Sequence, residues 1–252
     1  MSRTIIITGA TGKFGKILVN NFINNGDIVV AVGRSSNLLD NLKLNISRNY
    51  ENLYLVQTDL MADNSIAKVI KSINDHRLQP DSLINNARNL EYLKLDEEGR
   101  ASSENFLNEF KLGVVVPYQF TLSLVDAFKE SFKNVLNIGS IYGSVVPNLN
   151  LYDNPQNDSS IQYGVTKSAL EKLTKELSVR LAKKSVRVNC AAFGGLESEN
   201  NNELTKRYSD LCPSGRMLNE KDIFGPIDML LSENTTSITG HVLMIDGGWT
   251  LW

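Results

Sequence analysis

Thr8-Gly9-Ala10-Thr11-Gly12-Lys13-Phe14-Gly15 follows directly on the apolar run Ile5-Ile6-Ile7 near the start of the chain. A β-branched run that meets a glycine-rich octet and then helix-forming residues reads as strand, tight turn and helix. The three glycines have separate duties. Gly9 makes the sharp turn, Gly12 lets the main chain approach a pyrophosphate, and Gly15 lets the helix pack on the strand. The helix that follows offers unpaired N–H groups and a positive dipole end to phosphate. Thr11, Lys13 and Phe14 ride on the same turn, so the octet as a whole marks a candidate dinucleotide site.

Outward from the octet, short β-branched runs alternate with helix-length segments almost to the C-terminus. Strands are expected at residues 5–7, 28–32, 53–56, 82–84, 134–138, 186–191 and 242–245. Leu170, Leu173, Leu177 and Leu181 form one helical stripe between them, and Asn219, ahead of Glu220 and Asp222, reads as a helix N-cap. Alternation of this kind implies right-handed crossovers and a mostly parallel sheet covered on both faces. The expected fold is therefore α/β, a single-domain Rossmann-like doubly wound sheet of about seven strands. Two polar segments, 147–161 and 197–215, break the rhythm just after strands, where substrate loops belong; plain surface loops are the alternative.

The 252 residues suit one sizeable α/β core. A formal net charge of −2 gives no overall electrostatic case for nucleic acid. No apolar run approaches the length of a membrane span, and no leader pattern precedes the first strand, so a cytoplasmic protein is expected. Cys190 and Cys212 lack paired spacing and read as reduced thiols, while the isolated His76 and His241 offer no metal site.

Cofactor choice is read at the end of the second strand, Val32-Gly33-Arg34-Ser35. A carboxylate there would hold the ribose hydroxyls of NAD; Gly33 takes that place and no acid follows until Asp40. Arg34 can form charge-assisted bonds to a 2′-phosphate, with Ser35 and Lys13 nearby. NADP(H) is therefore expected in preference to NAD(H). Asp59 and Leu60, in the turn Thr58-Asp59-Leu60, fit a contact to the adenine.

Tyr163-Gly164-Val165-Thr166-Lys167 opens a long helix, and its four-residue spacing puts phenol and ammonium on one face. A free phenol ionises near about pH 10, too high for efficient proton exchange at neutral pH, and a neighbouring ammonium favours the phenolate. Ser140, after Asn137-Ile138-Gly139 at the end of the fifth strand, falls in the ligand crevice of such a sheet; a turn cap is its structural alternative. The expected chemistry is proton transfer by Tyr163 to or from an oxygen held by Ser140.

The glycine turn, Asn85-Asn86-Ala87, Ser140, the Tyr163/Lys167 pair and Ile245-Asp246-Gly247-Gly248 occur together in order. On these residues the chain resembles the short-chain dehydrogenase/reductase family over essentially its whole length. The resemblance implies that Ser140 polarises the substrate, that Tyr163 transfers the proton, and that Lys167 assists it and binds the nicotinamide ribose. It also implies cofactor contacts at Asn86, Ala87 and Gly194, a carboxamide contact at Ser198, a small-molecule substrate and a homodimer or homotetramer. Residues 249–252 are a candidate subunit boundary, with packing inside the subunit as the alternative.

Three departures stand out. The glycine spacing resembles the extended, sugar-nucleotide-modifying branch, Arg88 replaces a usual glycine, and Gly113 falls where the family has a catalytic asparagine. The segment 137–143 and the stretched interval to Tyr163 resemble a bacterial subgroup associated with surface polysaccharide or nonulosonate synthesis. The expected function is carbonyl–alcohol interconversion with NADP(H) on a small polar substrate, with a sugar derivative as the candidate. A nucleotide-binding sensor without turnover, or a sugar-nucleotide epimerase or dehydratase, are the alternatives.

Overall fold

The computed structural model describes residues 2–197 and 202–252, the side chain of Asn202 apart. The strands are β1 (Thr4–Thr8), β2 (Ile28–Gly33), β3 (Leu53–Gln57), β4 (Ser82–Asn85), β5 (Asn134–Ser140), β6 (Arg187–Phe193) and β7 (Val242–Ile245). They form one sheet in the order β3-β2-β1-β4-β5-β6-β7, parallel throughout. The helices are α1 (Lys13–Asn24), α2 (Ser36–Leu44), α3 (Ser65–Asp75), α4 (Ser103–Phe110), α5 (Val116–Ala127), α6 (Pro155–Asp158), α7 (Ile161–Leu181), α8 (Asn202–Leu211) and α9 (Lys221–Leu231). The expected doubly wound fold is the observed one, and every expected strand is present.

Strand side chains alternate between two apolar layers, because successive residues of a strand point to opposite faces. Ile5, Ile7, Val29 and Ala31 join Leu18, Phe22, Ile223 and Ile227 of α1 and α9 on one face. Ile6, Val30 and Val32 join Val69, Phe120, Leu124 and Leu177 of α3, α5 and α7 on the other. The leucine stripe on α7 is used as expected, with Leu170, Leu177 and Leu181 buried and Leu173 half-buried. The order in which successive strands are added reverses between β1 and β4, so a crevice opens beyond their carboxyl ends.

Two expectations need adjustment. The α9 cap sits one residue later than Asn219, at Glu220. Asn219 still takes part, since its Oδ1 accepts from Lys221 N at 3.0 Å and its N–H donates to Asp222 Oδ2 at 2.8 Å. The tail divides in two. Trp249 is buried within its own subunit and stacks on Tyr208 with ring centres 4.1 Å apart, whereas Leu251 and Trp252 remain exposed. Cys190 and Cys212 are both free, and burial pushes the Cys190 thiol up to about 12.

Phe120 is fully buried, while Tyr118 on the same helix is 43% exposed. Phe120→Ala is expected to lower stability by about 3–5 kcal/mol. Tyr118→Ala should stay within about 0.5 kcal/mol of the parent. Urea unfolding followed by circular dichroism measures both.

Candidate active site

The crevice is held open by hydrogen bonds between the ends of β1 and β4. Thr8 Oγ1 accepts from the N–H groups of Asn86 (2.9 Å) and Ala87 (3.0 Å) and donates to Ile84 O (3.2 Å). Asn86 Nδ2 donates to Thr8 O (2.9 Å) and Gly9 O (3.1 Å). The turn is thus bolted to β4 by two side chains. Gly9 has φ +63°, and a Cβ there would lie 2.8 Å from Ala87 Cα. At Gly15 a Cβ would run into Gly9 O, so both positions demand glycine. Gly12 begins α1 with no side-chain cap, which leaves helix N–H groups free at the floor of the crevice.

A cleft of about 680 Å³ lies over this turn. It is lined by the expected Gly9, Thr11, Gly12, Lys13 and Phe14, then by Arg34, Ser35, Asp59 and Leu60, by Asn86 and Ala87, and by Ser140, Tyr163, Lys167 and Gly194. The structure therefore brings nearly all of the expected site residues together. Gly15 stands behind the turn as a packing residue, and Ser198 falls outside the described residues. The dinucleotide groups anticipated from sequence fit this cleft: an uncapped helix start faces it, and a strand-end arginine lies along its wall.

Several side chains already have partners. Lys13 Nζ reaches across to donate to Glu197 O at 2.9 Å, so it bridges the turn and the segment after β6 instead of sitting against Arg34. Ser35 caps α2, accepting from Leu38 N at 3.4 Å. Ser140 Oγ accepts from Tyr142 N at 3.3 Å, so the turn-cap role coexists with a place on the cleft wall. Asp59 Oδ1 accepts from Met61 N at 3.0 Å, which fixes that turn.

At the far end, Lys167 Nζ donates to Ile138 O at 2.7 Å and lies 5.5 Å from the centre of the Tyr163 ring. One helical turn and one strand-end carbonyl thus place the ammonium beside the phenol. The Arg88 guanidinium lies over the same ring at 4.9 Å. Sequence reasoning flagged Arg88 as a departure without giving it a role in the site. It also passed over Thr8, whose signal was its position at the strand end immediately before the turn.

Between α4 and α5 the helix takes a π-helical turn at Lys111–Val115. Gly113 lies in that turn against α7, where a Cβ would meet Thr166 Cγ2. An asparagine side chain has no room there. Nearby, Glu109 is buried; burial pushes its carboxyl above the ordinary range, opposed by the positive charges of Lys167 and Arg88. Gln162 Oε1 and Thr166 Oγ1 are buried without hydrogen-bond partners.

The two polar segments meet each other. Arg207 of α8 pairs with Asp153 at 2.7 Å, Tyr142 and Tyr152 share a hydrogen bond of 2.6 Å between hydroxyls, and Leu151 packs with Tyr208 and Trp249. Burial pushes the Tyr208 hydroxyl up to about 12 and Tyr142 higher still. Among the described residues, none from 147–161 or 202–215 lines the cleft. No His, Cys, Asp and Glu cluster suited to a metal ion occurs among them either.

The model of the short chain dehydrogenase family matches residues 3–209. The chain belongs to this family. Its relatives include the post-translational flagellin modification protein A of Campylobacter coli, 28% identical over 260 residues with 99% of each chain covered. Another is the 3-oxoacyl-[acyl-carrier-protein] reductase FabG of Aquifex aeolicus, 25% identical over 252 residues, covering 96% of this chain and 95% of that one. Among solved structures, a short chain dehydrogenase from Leptospira borgpetersenii with bound NAD+ superposes with a TM-score of 0.84 at 25% identity, covering 99% of this chain and 93% of that one. ElxO with NADP bound gives 0.86 at 25% identity, with full coverage of both chains. Of these two solved structures, one holds NAD+ and the other NADP.

Two predictions follow from the π-helical turn. Gly113→Ala should destabilise by about 1–3 kcal/mol through overpacking. Thr166→Ser removes the methyl group in the way, so adding it to Gly113→Ala should recover most of the loss in a double-mutant cycle. Glu109 holds its proton more tightly in the folded protein than in the unfolded chain, so its contribution falls as pH rises above the unfolded carboxylate range. Glu109→Gln should raise the unfolding midpoint at pH 7 and leave it unchanged near about pH 3, below the unfolded carboxyl value.

Proposed function

We propose that this short-chain dehydrogenase interconverts a carbonyl and an alcohol on a small polar substrate, with NADP(H) preferred to NAD(H). The reading rests on one observation above all: Ser140, Tyr163 and Lys167 line the same cleft as the glycine turn and the uncapped start of α1. When bound, the nicotinamide would supply or accept hydride. The chain's own residues handle the proton and the developing charge. In the reductive direction the Tyr163 hydroxyl gives its proton to the carbonyl oxygen, and the Ser140 hydroxyl holds that oxygen in place. Lys167 and Arg88 put two positive charges beside the phenol that must carry transient negative charge, and both are positioned before the reaction starts.

NADP(H) is favoured because β2 ends in Gly33-Arg34, with no carboxylate at the strand end, and Arg34 is an exposed cation on the cleft wall. A sugar-derived substrate is the finer proposal, supported by the resemblance to the surface-polysaccharide subgroup and by the Asn- and Asp-rich segment 147–161. That segment and 197–215 are proposed to contact the substrate once it is bound. A homodimer or homotetramer in the cytoplasm completes the reading.

A second reading, a dinucleotide-binding sensor without turnover, has one observation in its favour. Thr166 takes the space in which a family asparagine would lie at residue 113.

Two experiments test the proposal. Tyr163→Phe should lower the rate of NADPH-dependent reduction, assayed on a panel of keto-sugars and simple ketones, by about 10²–10⁴-fold. Loss of the biological role in the same variant supports an enzyme; its survival supports the sensor. Arg34→Ala should weaken NADPH binding relative to NADH by about 10–100-fold, the worth of a charge-assisted hydrogen bond. Fluorescence titration reads this ratio, and tighter binding of NADH by the parent protein would refute the cofactor choice.

A further inference from the structure

Four cations line the cleft: Lys13, Arg34, Arg88 and Lys167. Asp59 is the only carboxylate among the described residues that line it. Three of the four cations have polar partners in the protein. Lys13 donates to Glu197 O, Lys167 to Ile138 O, and Arg34 approaches Asn89 Oδ1 at 3.5 Å. Arg88 is different. Its recorded contact is the face of the Tyr163 ring, and no acid of the described residues lies within ion-pairing distance of it. The guanidinium is exposed and keeps its planar array of donors free beside the phenol.

We propose that Arg88 is the receptor for an oxyanion on the substrate, a carboxylate or a phosphate ester, held within reach of the Tyr163 hydroxyl. This rests on the reading of Tyr163 as the proton donor and extends it to the charge of the substrate. The placement is economical in electrostatic terms. A planar guanidinium matches two oxygens of a carboxylate or phosphate and forms paired charge-assisted bonds with them. Its contact with the Tyr163 ring already restrains the side chain, so less freedom is lost on binding.

The other charges leave Arg88 available. Arg34 lines the wall at the end of β2 and is engaged by Asn89, and Lys13 at the start of α1 is engaged by Glu197 O. The charges of Glu109 and Arg88 interact, but Glu109 is buried and forms no ion pair with it. Burial favours the neutral form of that acid, which leaves the arginine uncompensated. A cleft whose charged lining is mostly positive also draws anions toward it in solution.

The test uses the full chain and matched probes that differ only in charge. Levulinate is compared with its methyl ester, and dihydroxyacetone phosphate with dihydroxyacetone, each as substrate for reduction by NADPH. The parent protein should favour the anionic member of at least one pair, and the pair that shows the preference tells carboxylate from phosphate. Arg88→Met should collapse that kcat/KM ratio by about 10–100-fold, the range of a charge-assisted hydrogen bond. Arg88→Lys should retain part of it.

A calorimetric arm keeps the two readings separable. The NADP-loaded parent is titrated with levulinate and with inorganic phosphate, and Arg88→Met should lose the binding. Binding that depends on Arg88 without turnover of any probe would sustain the oxyanion receptor and sink the oxidoreductase reading. Turnover with no preference for the charged member would do the reverse. An Arg88→Met variant that weakens NADPH binding as much as it lowers the anion ratio would place Arg88 on the cofactor and overturn the proposal.

Discussion

The hydroxyl of Thr8 accepts two main-chain N–H groups of the β4 exit while donating to a third residue of that strand. Much of the site's geometry hangs on this small junction. It fixes how closely the β1 turn approaches the end of β4, and so how narrow the crevice is where the strand order switches. Gly9 then meets Ala87 so closely that no side chain is tolerated, and Gly15 must be bare for α1 to lie against the turn. The helix start that results carries no cap of its own. Free helix N–H groups are costly unless water or a ligand satisfies them, which is why such a junction suits an anion. The arrangement converts steric constraint into a binding surface.

Opposite this junction, β5 and α7 define the chemical end of the cleft by similar means. The Ile138 carbonyl at the strand end orients the Lys167 ammonium, and helical spacing orients Tyr163 relative to Lys167. Ser140 serves two purposes at once, capping the turn that follows it and presenting its hydroxyl to the cleft. A side chain held by a local cap has few rotamers to lose when it engages a ligand. Preorganisation therefore comes from ordinary structural hydrogen bonds near the site.

Most of this was legible in the sequence because it rests on local rules. Short β-branched runs became strands, and alternation with helices set a parallel sheet; the order of motifs then located the cleft. Residues whose role depends on long-range neighbours were harder to read. Lys13 looked like a companion of Arg34, yet its flexible stem carries the ammonium to Glu197, 184 residues away in sequence. Trp249 suggested a subunit boundary, but its partner Tyr208 lies on a helix within the same chain, and no periodicity links the two. The bare position of Gly113 was visible as a missing asparagine. That Thr166 fills the adjacent space became visible only when α7 was packed against the π-helical turn.

That last contact bears on how the site handles protons. A β-branched threonine in a helix has little freedom at χ1, so Thr166 cannot easily swing aside to admit a larger residue at 113. The same neighbourhood holds a buried carboxyl at Glu109 and two buried oxygens, Gln162 Oε1 and Thr166 Oγ1, with no partner in the protein. Buried polar atoms of this kind are costly unless water or a proton completes them. The Glu109 carboxyl and these oxygens of α7 therefore lie on the elements that carry or adjoin the Tyr163–Lys167 pair. Gly113 brings no polar side chain to this neighbourhood, and Glu109, one helical turn earlier, brings a carboxyl. Glu109 changes charge on titration, and that charge interacts with both Lys167 and Arg88. The protonation of a buried acid is thus tied to the two cations that flank the phenol.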